Sequence, residues 1–370
     1  MAVSYHPTAV HMGEDAMDTL TQFSGQRVLI ITDAFLATTD LVANAKARLG
    51  QHVHIFDGVI PDPTTETVAE IVRMSNQVRP EVVIAIGGGS PIDAAKGGLL
   101  AINHNGHSPT FIVIPTTCGS GSEVTPFTII TDQNGTKNAL VTDDVLPEIA
   151  ILTPEAVATL PAHIAAETGM DALTHCFEAY TSTDAQIFSD MWAMHAIELL
   201  FTHLVPSYQG NQESREIQLY ASTMAGFAFS EAGLGIVHSM AHATGARLHL
   251  VHGRINSVLL PRVLAFNAGL PNPSTPEELR VVQRLAAVAD HIGIAKQTPV
   301  ESANAVINRI VEIRQTLGIA DTLTGLGASE APSPALFDDL ASHAIVDPCT
   351  TTNPKPVTQA DLSGIIRDAW

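Results

Sequence analysis

Asp171 and His175 stand four residues apart, and His238 and His242 repeat that spacing. On a helix, positions i and i+4 share a face, so each pair can converge on one ion. His249 follows, and His252 lies 14 residues past His238. A continuous helix would spread those residues over about four turns. Gly245 and Gly253 instead suggest a bend, with His252 arriving from a loop. Imidazole and carboxylate donors suit Fe(II), Zn(II), Co(II) or Ni(II). Either pair alone is an ordinary surface or core feature. An Asp-x-x-x-His with further histidines in one apolar helical region points to a metal. The six side chains exceed what one ion needs, which leaves a histidine for proton transfer or packing.

A second constellation precedes it. Gly87-Gly88-Gly89-Ser90-Pro91-Ile92-Asp93-Ala94-Ala95-Lys96 sits where an apolar run meets a helical stretch. Glycines there allow close backbone approach, and the N–H groups of a helix start attract phosphate. It is not the G-x-G-x-x-G fingerprint, because Ile92 replaces the third glycine. Thr116-Thr117-Cys118-Gly119-Ser120-Gly121-Ser122-Glu123 follows the next apolar run and offers hydroxyls and backbone donors. Two such loops on successive strands predict one nucleotide crevice at the carboxyl edge of a sheet. Asp33, ending an earlier run, can accept from a ribose hydroxyl and would repel a 2′-phosphate, which favours NAD over NADP; alternatively it is a turn residue.

These loops need a sheet to hold them. Val28 to Ile31, Val53 to Phe56, Val82 to Ile86 and Phe111 to Ile114 are short apolar runs of the kind found in strands buried on both faces. Helical stretches such as Thr64 to Asn76 alternate with them and imply a mainly parallel sheet. After about residue 152 the chain turns Ala-, Leu- and Met-rich, and Thr153-Pro154-Glu155 reads as a helix start. The expected fold is an α/β nucleotide-binding domain with a mainly parallel sheet over residues 1–152. An all-α metal-binding and catalytic domain would follow over 153–370, with a loop from Asn267 to Thr275.

The 370 residues suffice for two such domains. Lys and Arg number 18 against 38 Asp and Glu, a net charge of −20 that argues against nucleic acid and anionic membranes as partners. No apolar run reaches about 18 residues, so no transmembrane helix is expected. Met1 to His6 lacks a basic start and an apolar stretch, so no signal peptide is expected. Cys118, Cys176 and Cys349 are odd in number and far apart, which suits a reducing cytoplasm rather than a disulfide framework. The low charged fraction, 15%, suggests buried surface and a subunit interface.

Taken together, the chain resembles the iron-containing (group III) alcohol dehydrogenases over nearly its full length. The resemblance rests on Gly87 to Ser90 with Asp93 and Lys96, on Pro115 to Glu123, and on Gly169-Met170-Asp171 to His175. It continues through Gly235 to His242 and the tail Cys349-Thr350-Thr351-Thr352-Asn353-Pro354, where the family closes a small loop over the pocket. Within the family it is most similar to the propanol dehydrogenases of 1,2-propanediol utilisation; lactaldehyde, 1,3-propanediol and sulfoacetaldehyde reductases are near relatives.

The resemblance implies that Asp171, His175, His238 and His252 bind the metal, normally Fe2+, with Zn2+ as the alternative. It implies that His242 lies beside substrate and nicotinamide as a proton-transfer group. Gly87, Gly88, Gly89 and Ser90 would hold the pyrophosphate of NAD(H), and Thr116, Thr117 and Ser120 would lie near it and the nicotinamide ribose. Asp33 would face the adenosine ribose, Asp93 belongs to the same loop, and Lys137 would meet the cofactor. Phe127, Phe229 and Cys349 would line the substrate pocket.

Two positions depart from the family pattern. Val251 stands where proline is common, and Arg254 where a small apolar residue is common. Arg254 would favour an anionic substrate, or be an ion-paired or interface residue. The implied activity is hydride transfer between NAD(H) and a short-chain primary alcohol or aldehyde of the propanol/propanal type. The alternative is reduction of an anionic or hydroxylated aldehyde such as sulfoacetaldehyde, lactaldehyde or 3-hydroxypropanal. A homodimer or higher homo-oligomer in the cytoplasm is expected, with enclosure in a bacterial microcompartment conceivable. A dehydroquinate-synthase-like or glycerol-type enzyme fits less well through Gly169 to His175, and a non-catalytic NAD-binding scaffold would not need His242.

Overall fold

The computed structural model describes residues 6–104, 106, 108–133 and 137–370, Lys137 without its side chain. The chain divides into two units, Met1–Pro161 and Ala162–Trp370.

The first unit carries β1 (Ala9–Met12), β2 (Val28–Ile31), α1 (Asp40–Leu49), β3 (Val53–Phe56), α2 (Thr65–Val78), β4 (Val82–Gly87), α3 (Gly89–His104) and β5 (Thr110–Pro115). It continues with β6 (Phe127–Thr131), β7 (Lys137–Val141), β8 (Ile149–Leu152) and the short α4 (Pro154–Val157). Six strands form one parallel sheet in the order β1-β8-β5-β4-β2-β3, while β6 and β7 pair as an antiparallel hairpin. The four runs read from sequence are β2, β3, β4 and β5. Strand alternation sends Val28, Ile30, Ile84, Ile86, Ile112 and Ile114 to one face of the sheet. There they meet Leu41, Val42, Ala45 and Leu49 of α1. Leu29, Ile31, Val83, Ala85 and Val113 go to the other face, against Ile71 of α2 and Ile92, Ala95 and Leu99 of α3. Covering both faces explains the continuous apolar runs of β2, β4 and β5; β3, at the edge of the sheet, leaves His54 exposed.

The second unit is helical throughout its described residues: α5 (Ala162–Thr181), α6 (Ile187–Tyr208), α7 (Gln212–Ala232), α8 (Ile236–Leu248), α9 (His252–Asn267), α10 (Pro276–His291), α11 (Pro299–Thr316), α12 (Pro334–Ala344) and α13 (Gln359–Ala369). A 3-10 turn spans Pro348–Thr352. The ends are written in the sequence. Thr275 with Glu278, Thr298 with Glu301 and Thr358 with Asp361 form reciprocal capping boxes. Helix α5 is buried along nearly its whole length, so the polar groups it carries inward must find partners there. None of the described helices is long and apolar enough to cross a membrane.

Candidate metal and cofactor sites

Asp171 and His175 lie one turn apart on α5, His238 lies in the first turn of α8, and His252 opens α9. The expected bend between the two histidine helices is present. His249 takes a left-handed conformation (φ 54°, ψ 36°) and stops α8. His252 is the first helical residue beyond it rather than part of a loop.

Asp171 Oδ1 is 3.4 Å from His252 Nε2, 3.6 Å from His238 Nε2 and 4.0 Å from His175 Nε2. An ion held at about 2.1 Å by tetrahedral ligands needs donor–donor edges of about 3.4 Å. Asp171, His238 and His252 bring their donor atoms within 4.8 Å of one another, and His175 stands just outside that group with its Nε2 4.0 Å from Asp171 Oδ1, so the residues present fit a divalent ion. Burial alone would push the Asp171 carboxyl up, but His175, His252 and His238 outweigh it and hold it well below the usual carboxylate range. Burial would likewise push His238 down. Glu178 first, and Asp171 with it, reverse this and raise it to about 9. A buried carboxylate, Glu178, and a largely buried one, Asp171, in this cluster call for positive charge, which a cation supplies.

The rings are fixed as well as near. His175 is stacked between Phe229 (centroids 4.4 Å) and His238 (4.6 Å). Glu178 Oε2 lies 2.5 Å from His238 Nδ1, and Glu178 Oε1 accepts from Val237 N at 2.6 Å. Glu178 accepts from the Nδ1–H, which leaves the Nε2 lone pair facing Asp171. Asn256, fully buried one turn along α9, places Nδ2 2.7 Å from Asp171 Oδ1, 3.0 Å from His252 Nε2 and 3.3 Å from His238 Nε2. Sequence reasoning missed both residues, although each carried a signal. Glu178 continues the Asp171–His175 stripe at helical spacing, and Asn256 is i+4 from His252.

The approach of α9 to α5 depends on Gly253. A methyl group on its Cα would lie 2.1 Å from the Glu167 carbonyl oxygen. The next residue, Arg254, is ion-paired with Glu167, its Nε 2.6 Å and its Nη2 2.5 Å from Oε1. This matches the ion-paired alternative for that arginine.

His242 faces the same cluster one turn beyond His238. Its ring is stacked on that of His252, with centroids 5.5 Å apart and planes 13° apart. Its Nδ1 is 2.9 Å from Asp347 Oδ2, a partner 105 positions away that sequence spacing did not reveal. Cys349 lies in the turn after Asp347, its N–H donating to Asp347 Oδ1 at 2.8 Å. Burial, and then Asp347, push the Cys349 thiol well up, so it is neutral. His249 is exposed and caps a helix.

In the first unit, the glycine loop and the polar loop meet at the carboxyl ends of β4 and β5. Thr116 N donates to Gly87 O at 3.0 Å. A methyl on Gly88 would lie 2.9 Å from Thr117 Cγ2, and one on Gly89 3.9 Å from Ser120 Cβ. Ser90 Oγ accepts from Asp62 N at 3.3 Å. The fully buried Lys96 fastens the polar loop, donating to the carbonyls of Ser122 (2.7 Å), Thr125 (2.7 Å) and Phe127 (2.8 Å). Asp93 accepts from Ser122 Oγ at 3.3 Å; burial pushes its carboxyl up, against the pull of Lys96. Asp33 lies at the end of β2, where its Oδ1 accepts from the N–H groups of Phe35 and Leu36, both at 2.9 Å. Phe127, half-buried, opens β6. Lys137 opens β7, and its side chain lies outside the described residues.

Comparison with known proteins bears on the family and the fold. Residues 7–154 match the iron-containing alcohol dehydrogenase family, and residues 165–370 match its C-terminal domain. The chain is 34% identical to the NADPH-dependent butanol dehydrogenase of Clostridium saccharobutylicum, over 97% of this chain and 95% of that one. It is also 34% identical to the 1-propanol dehydrogenase PduQ of Salmonella typhimurium, over 98% of each. A solved structure of 1,3-propanediol oxidoreductase superposes with a TM-score of 0.91 at 30% identity, covering both chains completely. The sulfoacetaldehyde reductase of Bifidobacterium kashiwanohense in complex with NAD+ shares the fold, with a TM-score of 0.86 at 23% identity over 100% of this chain and 98% of that one. Matched over both halves by this family and 34% identical to two of its members over nearly the full length, this chain belongs to the iron-containing alcohol dehydrogenase family.

Proposed function

We propose that this chain is a metal-dependent alcohol dehydrogenase working as an aldehyde reductase, which interconverts a short-chain primary alcohol and its aldehyde with NAD(H). The observation that carries the reading is the convergence of three imidazole Nε2 atoms on Asp171 Oδ1 within 4.0 Å, with His242 stacked beside them. When bound, Fe2+, or Zn2+ in its place, supplies Lewis acidity to the substrate oxygen, and the dinucleotide supplies or takes the hydride.

The protein's part is holding and proton movement. Asp171, His175, His238 and His252 hold the ion, and Glu178 and Asn256 orient those ligands. Gly87, Gly88, Gly89 and Ser90 take the pyrophosphate at the start of α3, while Thr116, Thr117 and Ser120 offer hydroxyls beside it. Asp33 meets the adenosine ribose through its remaining carboxylate oxygen, which favours NAD(H) over NADP(H). Lys137 is assigned to the cofactor and Asp93 supports the glycine loop; Phe127 of the first unit, and Phe229 and Cys349 of the second, are each assigned to substrate contact. His242 exchanges the proton with the substrate oxygen. Residues 1–152 thus serve the dinucleotide and residues 153–370 the metal.

A neutral aldehyde of the propanal type is the preferred substrate. Arg254, the sequence's reason for an anionic one, is committed to Glu167. We place the protein in the cytoplasm as a homodimer or higher homo-oligomer without nucleic-acid or membrane partners. The net charge of −20 argues against nucleic-acid and anionic-membrane partners, the odd count of three well-separated cysteines supports a reducing compartment, and the 15% charged fraction supports a subunit interface.

The test is an anaerobic Fe2+ reconstitution followed by the nicotinamide absorbance. Propanal, lactaldehyde, 3-hydroxypropanal and sulfoacetaldehyde are compared with NADH and NADPH. The reading expects the highest kcat/KM for propanal with NADH. Failure of the metal-loaded protein to reduce any of the four overturns it.

A further inference from the structure

His242 has two ring nitrogens, and a histidine that moves a proton is useful only if the correct one faces the substrate. We propose that Asp347 is a positioning residue that holds His242 as its Nδ1–H tautomer and leaves Nε2 to exchange the proton. This rests on the reading of His242 as the proton carrier.

The acceptor is firmly built. Asp347 Oδ2 lies 2.9 Å from His242 Nδ1. Asp347 is held in turn: its Oδ1 accepts from Cys349 N at 2.8 Å and its carbonyl from Thr350 N at 3.0 Å, so it caps the turn Pro348–Thr352. That turn is fastened to the segment bearing His242 at two further points. Thr350 Oγ1 is 2.7 Å from Ser239 Oγ, and Thr352 Oγ1 donates to Leu234 O at 2.6 Å. An ionised carboxylate can only accept, so the nitrogen facing it must carry the proton, and the neutral ring then keeps its lone pair on Nε2. Stacking on His252 fixes the ring plane, and the hydrogen bond fixes the rotation within it.

A cation held by His242, Asp347 and Cys349 is the competing use of this cluster, whose donor atoms lie within 4.8 Å of one another. The 2.9 Å between Nδ1 and Oδ2 is hydrogen-bond length and shorter than the edge of about 3.4 Å that a tetrahedral ion spans.

Asp347→Asn is the informative variant. Its amide oxygen can still cap Cys349 N, while its NH2 turned toward His242 demands an acceptor at Nδ1 and moves the ring proton to Nε2. The metal-loaded full-length wild type is compared with Asp347→Asn, His242→Ala and the double variant. In Asp347→Asn we expect kcat lower by about 10- to 100-fold, KM within about twofold, and unchanged metal content and melting temperature. The double variant should be no slower than His242→Ala, because both changes remove one function. The 15N-histidine spectrum of the zinc-loaded protein should show His242 protonated at Nδ1 in wild type and at Nε2 in Asp347→Asn. Wild-type kcat in Asp347→Asn, losses that multiply in the double variant, or an unchanged tautomer overturns the proposal alone. Full turnover in His242→Ala overturns the proton-carrier reading and the proposal with it.

Discussion

Replacing Gly253 by alanine adds one methyl group at the point where α9 meets α5. That methyl would lie 2.1 Å from the Glu167 carbonyl oxygen, 2.8 Å from its carbon and 3.4 Å from Asp171 Cβ. Non-bonded contact needs roughly 3.5 Å between carbons and slightly less to oxygen. The start of α9 must therefore move by about 1 Å or more, and the obstacle is backbone inside a buried helix rather than a side chain that can swing away. His252 is the preceding residue and moves with it. A metal site tolerates about 0.2 Å of error in ligand distance, so the shift removes or badly strains one of four ligands. We expect metal affinity to fall at least about 100-fold and the metal-free protein to lose about 1–3 kcal/mol of stability through overpacking. Competition against a chromogenic chelator measures the first, and denaturant unfolding in excess chelator the second. Gly253→Ala binding metal within about threefold of wild type would refute the claim that this contact sets His252.

Glu178→Gln removes the charge that holds His238 Nδ1–H; metal affinity should drop about 10- to 100-fold by the same chelator assay, and an unchanged affinity would deny Glu178 that role. Lys96→Met leaves the carbonyls of Ser122, Thr125 and Phe127 without that donor. At about 1–3 kcal/mol per buried group, melting should fall sharply and NADH binding weaken while metal content stays constant; preserved NADH affinity would sever the loop from the cofactor. Glu278 is held down to about 2, first by Lys355 at 2.6 Å and then by the N–H groups of Ser274 and Thr275. Its folded value lies below its ordinary 4.5, so the pair stabilises fully above about 4.5 and loses its contribution as pH falls through about 2. The gap in Tm between wild type and Lys355→Met should therefore be full at neutral pH and close across that window; a gap that stays constant would rule the linkage out.

Local signals made much of this molecule legible in its sequence. The runs at Val28, Val82 and Phe111 became strands because burial on both sheet faces leaves no room for polar alternation, while the run at Val53 became an edge strand that leaves His54 exposed. The i,i+4 pairs at Asp171–His175 and His238–His242 were readable because helical period alone brings them to one face. Strand β1 (Ala9–Met12) was not, since a half-exposed edge strand of four residues carries little pattern. The hairpin β6–β7 escaped for the same reason: Phe127 to Thr131 alternates half-buried and buried, with a polar register. Strand β8 (Ile149–Leu152) carries an apolar run of only four residues that abuts the helix start at Thr153, which masks it as a separate element. Asp347 was beyond reach for a different reason. Its meeting with His242 is made by tertiary packing across 105 positions, and no period in one sequence encodes such a distance. Arg254 shows the converse limit: its charge was visible, but its partner Glu167, 87 residues earlier, was not.

X-ray absorption of the ferrous-loaded protein tests the central claim most directly, because it reads the ligand atoms themselves. The account predicts one ion per chain, a first shell of nitrogen and oxygen at about 2.1 Å, outer-shell scattering from three imidazoles, and a spectrum unchanged in His242→Ala. One imidazole should disappear, or the ion be lost, in His252→Ala. A sulfur scatterer, fewer than three imidazoles in wild type, or a His252→Ala protein that keeps the wild-type spectrum would contradict it.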